Sequence, residues 1–367
     1  MNRVILIGNG FDLAHGLKTK YEHFIDDFWN KKSELFQKAY YERKLISQND
    51  RSYHSNKYQD NDIIINDIIY YSNVSFYPSS MKNGFERFLH TISAIDEKLA
   101  KKVKFVNQFL EQITNKKTLR NWVDVEEEYY LALNECLKDK KEDEKEDKIE
   151  QLNKEFLMIK TSLENYLKEQ VANKIDKLTQ IEQNINSDIS LENFLKKPEF
   201  RELFETLYLN FNYTNTEKLY IQNNNLDKVI HIHGELDNSK NPIIFGYGDD
   251  IDEKYKLIEQ QNDNRYLENI KSIKYLETRN YKKMLKFIDF GEYIIYIMGL
   301  SCGNSDRTLL NTLFEHKNCI SIKVFYHQRE DGTDDYSDVI RNISRNFTEK
   351  SLFRKIVVDK TLCVPLS

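Results

Sequence analysis

Apolar positions along this chain follow two rhythms. Short continuous runs, without polar alternation, occur at 3–7, 203–211, 229–233, 243–245, 293–298, 320–326 and 355–358. Their length, β-branching and flanking glycines predict strands buried on both faces. The second rhythm is helical. After GNGFDLAHGL, residues 19–46 place Tyr21, Phe24, Phe28, Leu35 and Phe36 near one helical face, with Thr19 as N-cap and Glu22 three residues on. Helical patterns also fill 251–288 and 305–316. Residues 83 to about 200 read as helix almost throughout, with Gly84 their only glycine. Between the first long helix and that block, 47–80 is rich in Asn, Asp, Ser and Tyr and predicts long loops.

Strands alternating with helices predict an α/β fold with a parallel sheet covered on both faces. The strand at 3–7 cannot bury both its faces alone, so it belongs in one sheet with the late strands. The expected organisation is a Rossmann-like domain from 1–30 and 201–367, interrupted by a mainly helical insertion over 31–200. The charged run CLKDKKEDEKEDKIEQL reads as a solvated helix face or exposed loop, and no fixed period marks a repeat array.

Glycine placement sharpens this picture. Of 11 glycines in 367 residues, eight follow the apolar runs: Gly8, Gly10, Gly16, Gly234, Gly246, Gly248, Gly299 and Gly303. Glycines at strand ends of an α/β sheet mark the crevice where nucleotides bind. Composition narrows the partners. Lys+Arg number 54 against Asp+Glu 59, a net charge of −5, which supplies no basic field for nucleic acid. The four cysteines form no CxxC pair, so neither a structural zinc nor a disulfide framework is expected. MNRVILIGNG enters a strand directly and no apolar run reaches a membrane span. The expectation is a soluble, cytoplasmic protein with no membrane partner and no bound metal.

Five motifs carry candidate chemistry. In Gly8-Asn9-Gly10-Phe11-Asp12-Leu13-Ala14-His15-Gly16, a strand runs through a Gly-X-Gly turn into a helix, a geometry that can cradle phosphate or serve as a tight turn. Asp12 either caps that helix or faces a ligand, and His15 either fills the turn or lines the site. In Asn210-Phe211-Asn212-Tyr213-Thr214-Asn215-Thr216, Thr214 or Asn215 could cap the next helix, while the Asn212 amide offers donor and acceptor at a strand end. In His231-Ile232-His233-Gly234, two imidazoles share one strand face, half a metal site at most. His233, at the strand end, is the better general base. Asp249 and Asp250 after Phe245-Gly246-Tyr247-Gly248 suit a solvated loop, a lid or a metal ligand. In Met298-Gly299-Leu300-Ser301-Cys302-Gly303-Asn304-Ser305-Asp306, Ser301 can bond a phosphate or ribose hydroxyl, and Asp306 a ribose or the helix it precedes.

Taken together, GNGFDLAHGLKTKY, FNYTNT, HIHGEL, IIFGYGDD and YIMGLSCGNSD resemble the bacteriophage abortive-infection AbiH family. Trp122, Asp124 and Glu126 in NWVDVEEEY are similar to a helical signature of that family. A more distant resemblance is to the sirtuin fold and its NAD-cleaving relatives in bacterial defence. It rests on the spacing of Gly8, Gly10 and Gly16, on Asn212-Tyr213-Thr214, on His233-Gly234 and on Gly299-Leu300-Ser301. Thr214 stands where sirtuins carry Asp, Asp12 where they carry Ser, and their zinc cysteines and peptide channel are not evident.

These resemblances imply antiphage defence and a sirtuin-like, Rossmann-like sheet with NAD as substrate or ligand. The leading expectation is NAD+ hydrolysis at the nicotinamide–ribose bond. Asn212 would position water and a ribose hydroxyl, His233 would act as base, and Asp12 would stabilise the cationic ribose. Gly8, Asn9, Gly10, Phe11, His15, Gly16, Tyr213, Gly299, Ser301 and Asp306 would hold the dinucleotide. The helical insertion would restrain the pocket or mediate assembly, with a phage-derived trigger and a second copy of the chain as partners. Two alternatives stand beside this: a sensor that binds NAD or ADP-ribose without turnover, and a metal-dependent nuclease using Asp12, His15, Asp249, Asp250 and His233.

Overall fold

The computed structural model describes residues 1–49, 57–71, 74–76, 83–138, 142–172, 175–187, 205–222 and 226–367. Among these residues there are nine strands: β1 Asn2–Ile7, β2 Tyr58–Gln59, β3 Ile63–Ile65, β4 Val103–Phe105, β5 Thr206–Asn210, β6 Asp227–His231, β7 Tyr293–Met298, β8 Cys319–Tyr326 and β9 Val364–Pro365. Thirteen α-helices accompany them: α1 Asn9–Ala14, α2 Tyr21–Asn49, α3 Gly84–Ser93, α4 Gln108–Asn115, α5 Trp122–Cys136, α6 Glu142–Val171, α7 Thr179–Asn186, α8 Glu253–Glu259, α9 Lys271–Lys274, α10 Asn280–Asp289, α11 Arg307–Phe314, α12 Tyr336–Asn346 and α13 Lys350–Ile356.

Six strands form one parallel sheet in the order β6-β5-β1-β7-β8-β9. Numbered by their own succession this is 3-2-1-4-5-6, the order of dinucleotide-binding α/β folds. The first strand sits centrally among the late ones, with Leu6 between Leu209 and Ile297. Both faces are buried, as the unalternated apolar runs require. Val4, Leu6, Leu207, Leu209, Ile295 and Ile297 face a core closed by α10, α11, α12 and α13. Ile5, Ile7, Tyr208, Ile294, Tyr296 and Met298 face a second core with Phe11, Tyr220 and α7.

The chain divides into two compact units: Met1–Thr19, Glu126–Ile149 and Glu164–Ser367 in one, and Lys20–Val125 with Glu150–Leu163 in the other. The first holds the parallel sheet. The second holds a three-stranded antiparallel sheet, β2-β3-β4, and an aromatic core in which Trp29 packs on Phe28, Phe85, Phe88 and Phe105.

Several local expectations change. Residues 243–245 are buried but unpaired as a strand. Their backbone bonds run to scattered partners: Ile244 N–H donates to His233 O, and Ile244 O accepts from the Tyr213 hydroxyl. The expected strand at 355–358 is the end of α13 followed by a single bridge, Val357 to Ile322. A continuous apolar run reads alike whether paired or merely buried. On α2, Leu35 is 55% exposed, while Trp29 and Tyr40 take the inner face with Tyr21, Phe24 and Phe36, as a 3.6-residue period dictates. The Thr19 hydroxyl donates to Asn9 Oδ1. The loop stretch 47–80 contains β2 and β3; parts of it lie outside the described residues, as do 139–141 of the charged run, 188–200 of the expected helical block and 203–204 of the strand expected at 203–211.

Candidate functional site

In a sheet of this order the crevice opens at the carboxyl ends of β1 and β7, where the strand succession reverses direction. Two glycine turns meet there. Gly10 N–H donates to Gly299 O at 2.8 Å, and Gly8 N–H donates to Met298 O at 3.1 Å. A Cβ on Gly8 would lie 2.4 Å from Leu300 Cα, and one on Gly299, where φ is +73°, would lie 2.1 Å from Phe11 N. The glycines therefore permit backbone-to-backbone contact at the switch point. The Phe11 N–H is taken by Gly8 O.

The segment after β5 joins this turn. Asn212 Nδ2 donates to Gly8 O at 3.0 Å, across 204 positions of sequence. Asn210, fully buried, orders that loop. Its Oδ1 accepts from Asn212 N, and its Nδ2 donates to Glu217 Oε2 at 2.7 Å and to Thr214 O at 3.0 Å. Glu217, itself fully buried, takes His231 Nε2 at 3.0 Å on its other oxygen. Burial works against charge on His231, but the Glu217 carboxylate outweighs it and raises the imidazole above its ordinary value.

Asp12 enters the same cluster from α1. The Thr214 hydroxyl donates to Asp12 Oδ2 at 2.6 Å, and Asp12 Oδ1 is buried without a partner. Burial pushes the Asp12 carboxyl up to about 6, against the hydrogen bond from Thr214, with the Glu217 charge adding to the rise. Neither Asp12 nor Thr214 acts as a helix cap here.

His233 belongs to a second cluster. Its Nε2 lies 3.2 Å from Asp306 Oδ1 and 3.1 Å from the Tyr275 hydroxyl, and the Phe211 ring stands edge-on to the imidazole at 5.1 Å. Asp306 stands at the N-cap position of α11 but makes no side-chain cap. Its Oδ1 instead accepts from Lys271 Nζ at 2.8 Å, and the same ammonium donates to Glu126 Oε2 at 2.7 Å. Lys271 is 1% exposed, Glu126 and Asp306 each 4%. Gly246 N–H donates to the second Glu126 oxygen at 3.3 Å. Burial would raise Asp306, yet Lys271 and then His233 hold it well below the usual carboxylate range. Glu126, buried beside Asp306, is raised despite Lys271. Lys271 stays above its ordinary value because Asp306 and Glu126 outweigh its burial. Burial and these two carboxylates push the Tyr213 and Tyr275 phenols far up.

The remaining candidates stand apart from these clusters. His15 Nδ1 donates to Phe11 O at 2.7 Å, so its Nε2 accepts from the Tyr220 hydroxyl, which in turn accepts from Leu178 N. Burial lowers this imidazole. Gly16, with φ +80°, ends the α1 turn. Ser301 is held through its carbonyl by Asn342 Nδ2. Asp249 pairs with Arg307, and Asp250 with Thr308, at the start of α11. Asp12, His15, Asp249, Asp250 and His233 thus engage separate partners, and among the described residues no group of three or more His, Cys, Asp or Glu could hold a metal ion. The four cysteines are buried and form no disulfide.

The motifs did not reveal Lys271, Tyr275 or Glu217 as site members. Glu126 was visible only as part of NWVDVEEEY. Lys271 carries no distinguishing signal among 54 Lys and Arg residues.

Residues 4–328 match the family model described as bacteriophage abortive infection AbiH. No curated protein and no solved structure matches the chain. Among the described residues no helix is long and apolar enough to cross a membrane.

Proposed function

This chain belongs to the AbiH family of bacteriophage abortive-infection proteins, and from that premise we propose that it defends against phage by hydrolysing NAD+ at the nicotinamide–ribose bond. Two contacts beyond the carboxyl ends of strands of the one parallel sheet support the reading: Asn212 bonds Gly8 O in the turn after β1, and His233, two residues past β6, meets Asp306.

Cleavage of that bond passes through an oxocarbenium-like transition state, and the departing nicotinamide needs little acid assistance because it leaves as a neutral base. What the protein must supply is negative charge near the ribose, an oriented water and a base. Asp12, ionised above about pH 6, supplies the first. Asn212 orients ribose and water. An ionised Asp306 can only accept, so the His233 proton sits on Nε2 and the lone pair on Nδ1, the nitrogen that serves as base. The contacts of the ring with Asp306 and Tyr275 both run through Nε2. Gly10 and Phe11 already give their N–H groups to protein carbonyls, so the pyrophosphate falls to Asn9. Tyr213 and Ser301 line the dinucleotide on either side of the switch point.

A binding-only sensor is the second reading, and burial favours it: Asn212 and His233 are only 9% and 5% exposed. One assay separates the two. Purified protein is incubated with NAD+ and free nicotinamide is quantified. Release is expected from the native chain, falling by about 100-fold or more in His233→Ala and Asn212→Ala. Release untouched by both substitutions would overturn the assignment, and NAD+ binding without release would establish the sensor.

A further inference from the structure

We propose that Lys271, backed by Glu126, is a positioning residue for the His233–Asp306 pair: its ammonium keeps Asp306 ionised and turned toward His233, which fixes the ring proton on Nε2 and leaves Nδ1 basic. The inference deepens the NAD+-cleavage reading and rests on it for the role of Nδ1.

The geometry is a closed relay. Lys271 Nζ and His233 Nε2 contact the same oxygen, Asp306 Oδ1, at 2.8 and 3.2 Å. Lys271 Nζ also reaches Glu126 Oε2 at 2.7 Å, and Ser305 Oγ lies 3.4 Å away. All four ionisable members are 5% exposed or less. An ammonium this deeply buried is tolerated only when its partners are charged and hydrogen-bonded. A single carboxylate would balance it, so the second carboxylate has no need of Lys271 for charge balance alone. It is the carboxylate that turns toward His233. Close approach is secured by Gly248, where a Cβ would lie 2.8 Å from Ser305 O and 3.0 Å from the Lys271 side chain.

Other groups around His233 do not replace this arrangement. The Tyr275 hydroxyl also faces Nε2, but burial keeps that phenol neutral. Tyr281 stacks on Tyr275 at 5.7 Å. Tyr213, from the loop after β5, faces Glu126 and Asp306 as a neutral phenol. Cys302 lies near Asp306 as a buried thiol pushed up by desolvation. Phe211 contributes only a ring edge. Lys271 is therefore the cation, and Asp306 and Glu126 the anions, that set the charge around this imidazole.

The contact distances place the ammonium and the imidazole nitrogen at most about 6 Å apart, a separation at which one buried unit charge moves a proton equilibrium by about one to two pH units. The test uses the full chain with Lys271→Met/Glu126→Gln, which removes one charge of each sign, and Glu126→Gln alone. Two readouts are taken: the pH profile of nicotinamide release, and the ¹⁵N ring signals of His233, assigned with His233→Gln. In the native protein the ring is expected to carry its proton on Nε2. In the double variant that single form is lost near neutral pH, and the acid limb of the rate moves up by about one pH unit. In Glu126→Gln, which removes only an anion, the limb moves down.

A native ring protonated on Nδ1 would overturn the inference. So would a ring form and acid limb that the double variant leaves in place, or an upward or absent shift in Glu126→Gln. If the native chain releases no nicotinamide, the cleavage reading fails, while the ring signals still decide whether Lys271 sets the proton position.

Discussion

Replacing Asp12 with asparagine should stabilise the protein above pH 6 and impair it as an enzyme. Asp12 is 1% exposed, has one partnered oxygen and one orphan, and sits near a second buried carboxylate, Glu217. Its carboxyl moves from an ordinary 3.8 to about 6 on folding, chiefly through desolvation. Between those values the native state binds more protons than the unfolded chain, so stability falls as pH rises through the window. A shift of that size corresponds to about 3 kcal/mol of stability, present below pH 3.8 and lost above about 6. The amide introduced by Asp12→Asn stays neutral throughout. Its oxygen can still accept from Thr214, and the charge assistance that bond gives the carboxylate is already contained in the value near 6. The variant should lie close to the native chain below about pH 4 and exceed it by about 3 kcal/mol near pH 7.5. Urea unfolding followed by far-ultraviolet circular dichroism across this range is the assay. Tryptophan fluorescence would report the wrong region, because Trp29 and Trp122 both belong to the antiparallel-sheet unit. A stability difference that is flat with pH, or a variant less stable at pH 7.5, would refute the reasoning. Nicotinamide release should fall in the same variant, since a residue kept at a cost to stability is one that function requires.

Two further substitutions probe the scaffold. Gly299→Ala forces a left-handed φ on a residue with a Cβ and drives that atom to 2.1 Å from Phe11 N, so about 3 kcal/mol should be lost in the same unfolding assay; an unchanged midpoint would mean the two turns part easily. Asn210→Ala removes two donated bonds, one of them to fully buried Glu217, and should cost about 3 kcal/mol, whereas a loss under about 0.5 kcal/mol would show that Glu217 needs only His231.

The parallel sheet was legible because burial on both faces leaves no alternation, as in RVILI and YIIYIM. The meeting of remote turns was legible because Gly8, Gly10 and Gly299 stand where any side chain would block a backbone contact. Pairing was less legible. The run at 243–245 is as apolar as a strand, yet Pro242 precedes it and the backbone groups of Ile244 go to His233 and Tyr213. Least legible was the charged relay. Lys271 lies between Ile270 and Ile273 in a segment rich in solvated lysines, and only its distances to Glu126 and Asp306 separate it from them. Asp306 was named from its motif, but its expected choice between cap and ribose contact omitted the partners it has, Lys271 and His233.

The charge pattern of the two clusters bears on how NAD+ would lie in the proposed site. Asp12, Glu126, Glu217 and Asp306 are all 4% exposed or less, against one ammonium, Lys271, and one imidazole, His231, that the Glu217 carboxylate raises above its ordinary value. Each carboxylate oxygen taken out of water must be compensated by a donor or a cation, and Asp12 Oδ1 is buried without either. Under the cleavage reading, that oxygen is where a positive charge is most strongly favoured, and an anionic pyrophosphate is disfavoured there. On that reading the dinucleotide would enter with its cationic nicotinamide–ribose end toward Asp12 and its phosphates toward the Asn9 turn. The same charge that stabilises an oxocarbenium-like ribose no longer attracts the ring once the bond is cut, because nicotinamide leaves neutral and the remaining ADP-ribose is an anion. On the cleavage reading, catalysis and product release would then draw on one buried carboxylate, and both would weaken as Asp12 takes up a proton near pH 6.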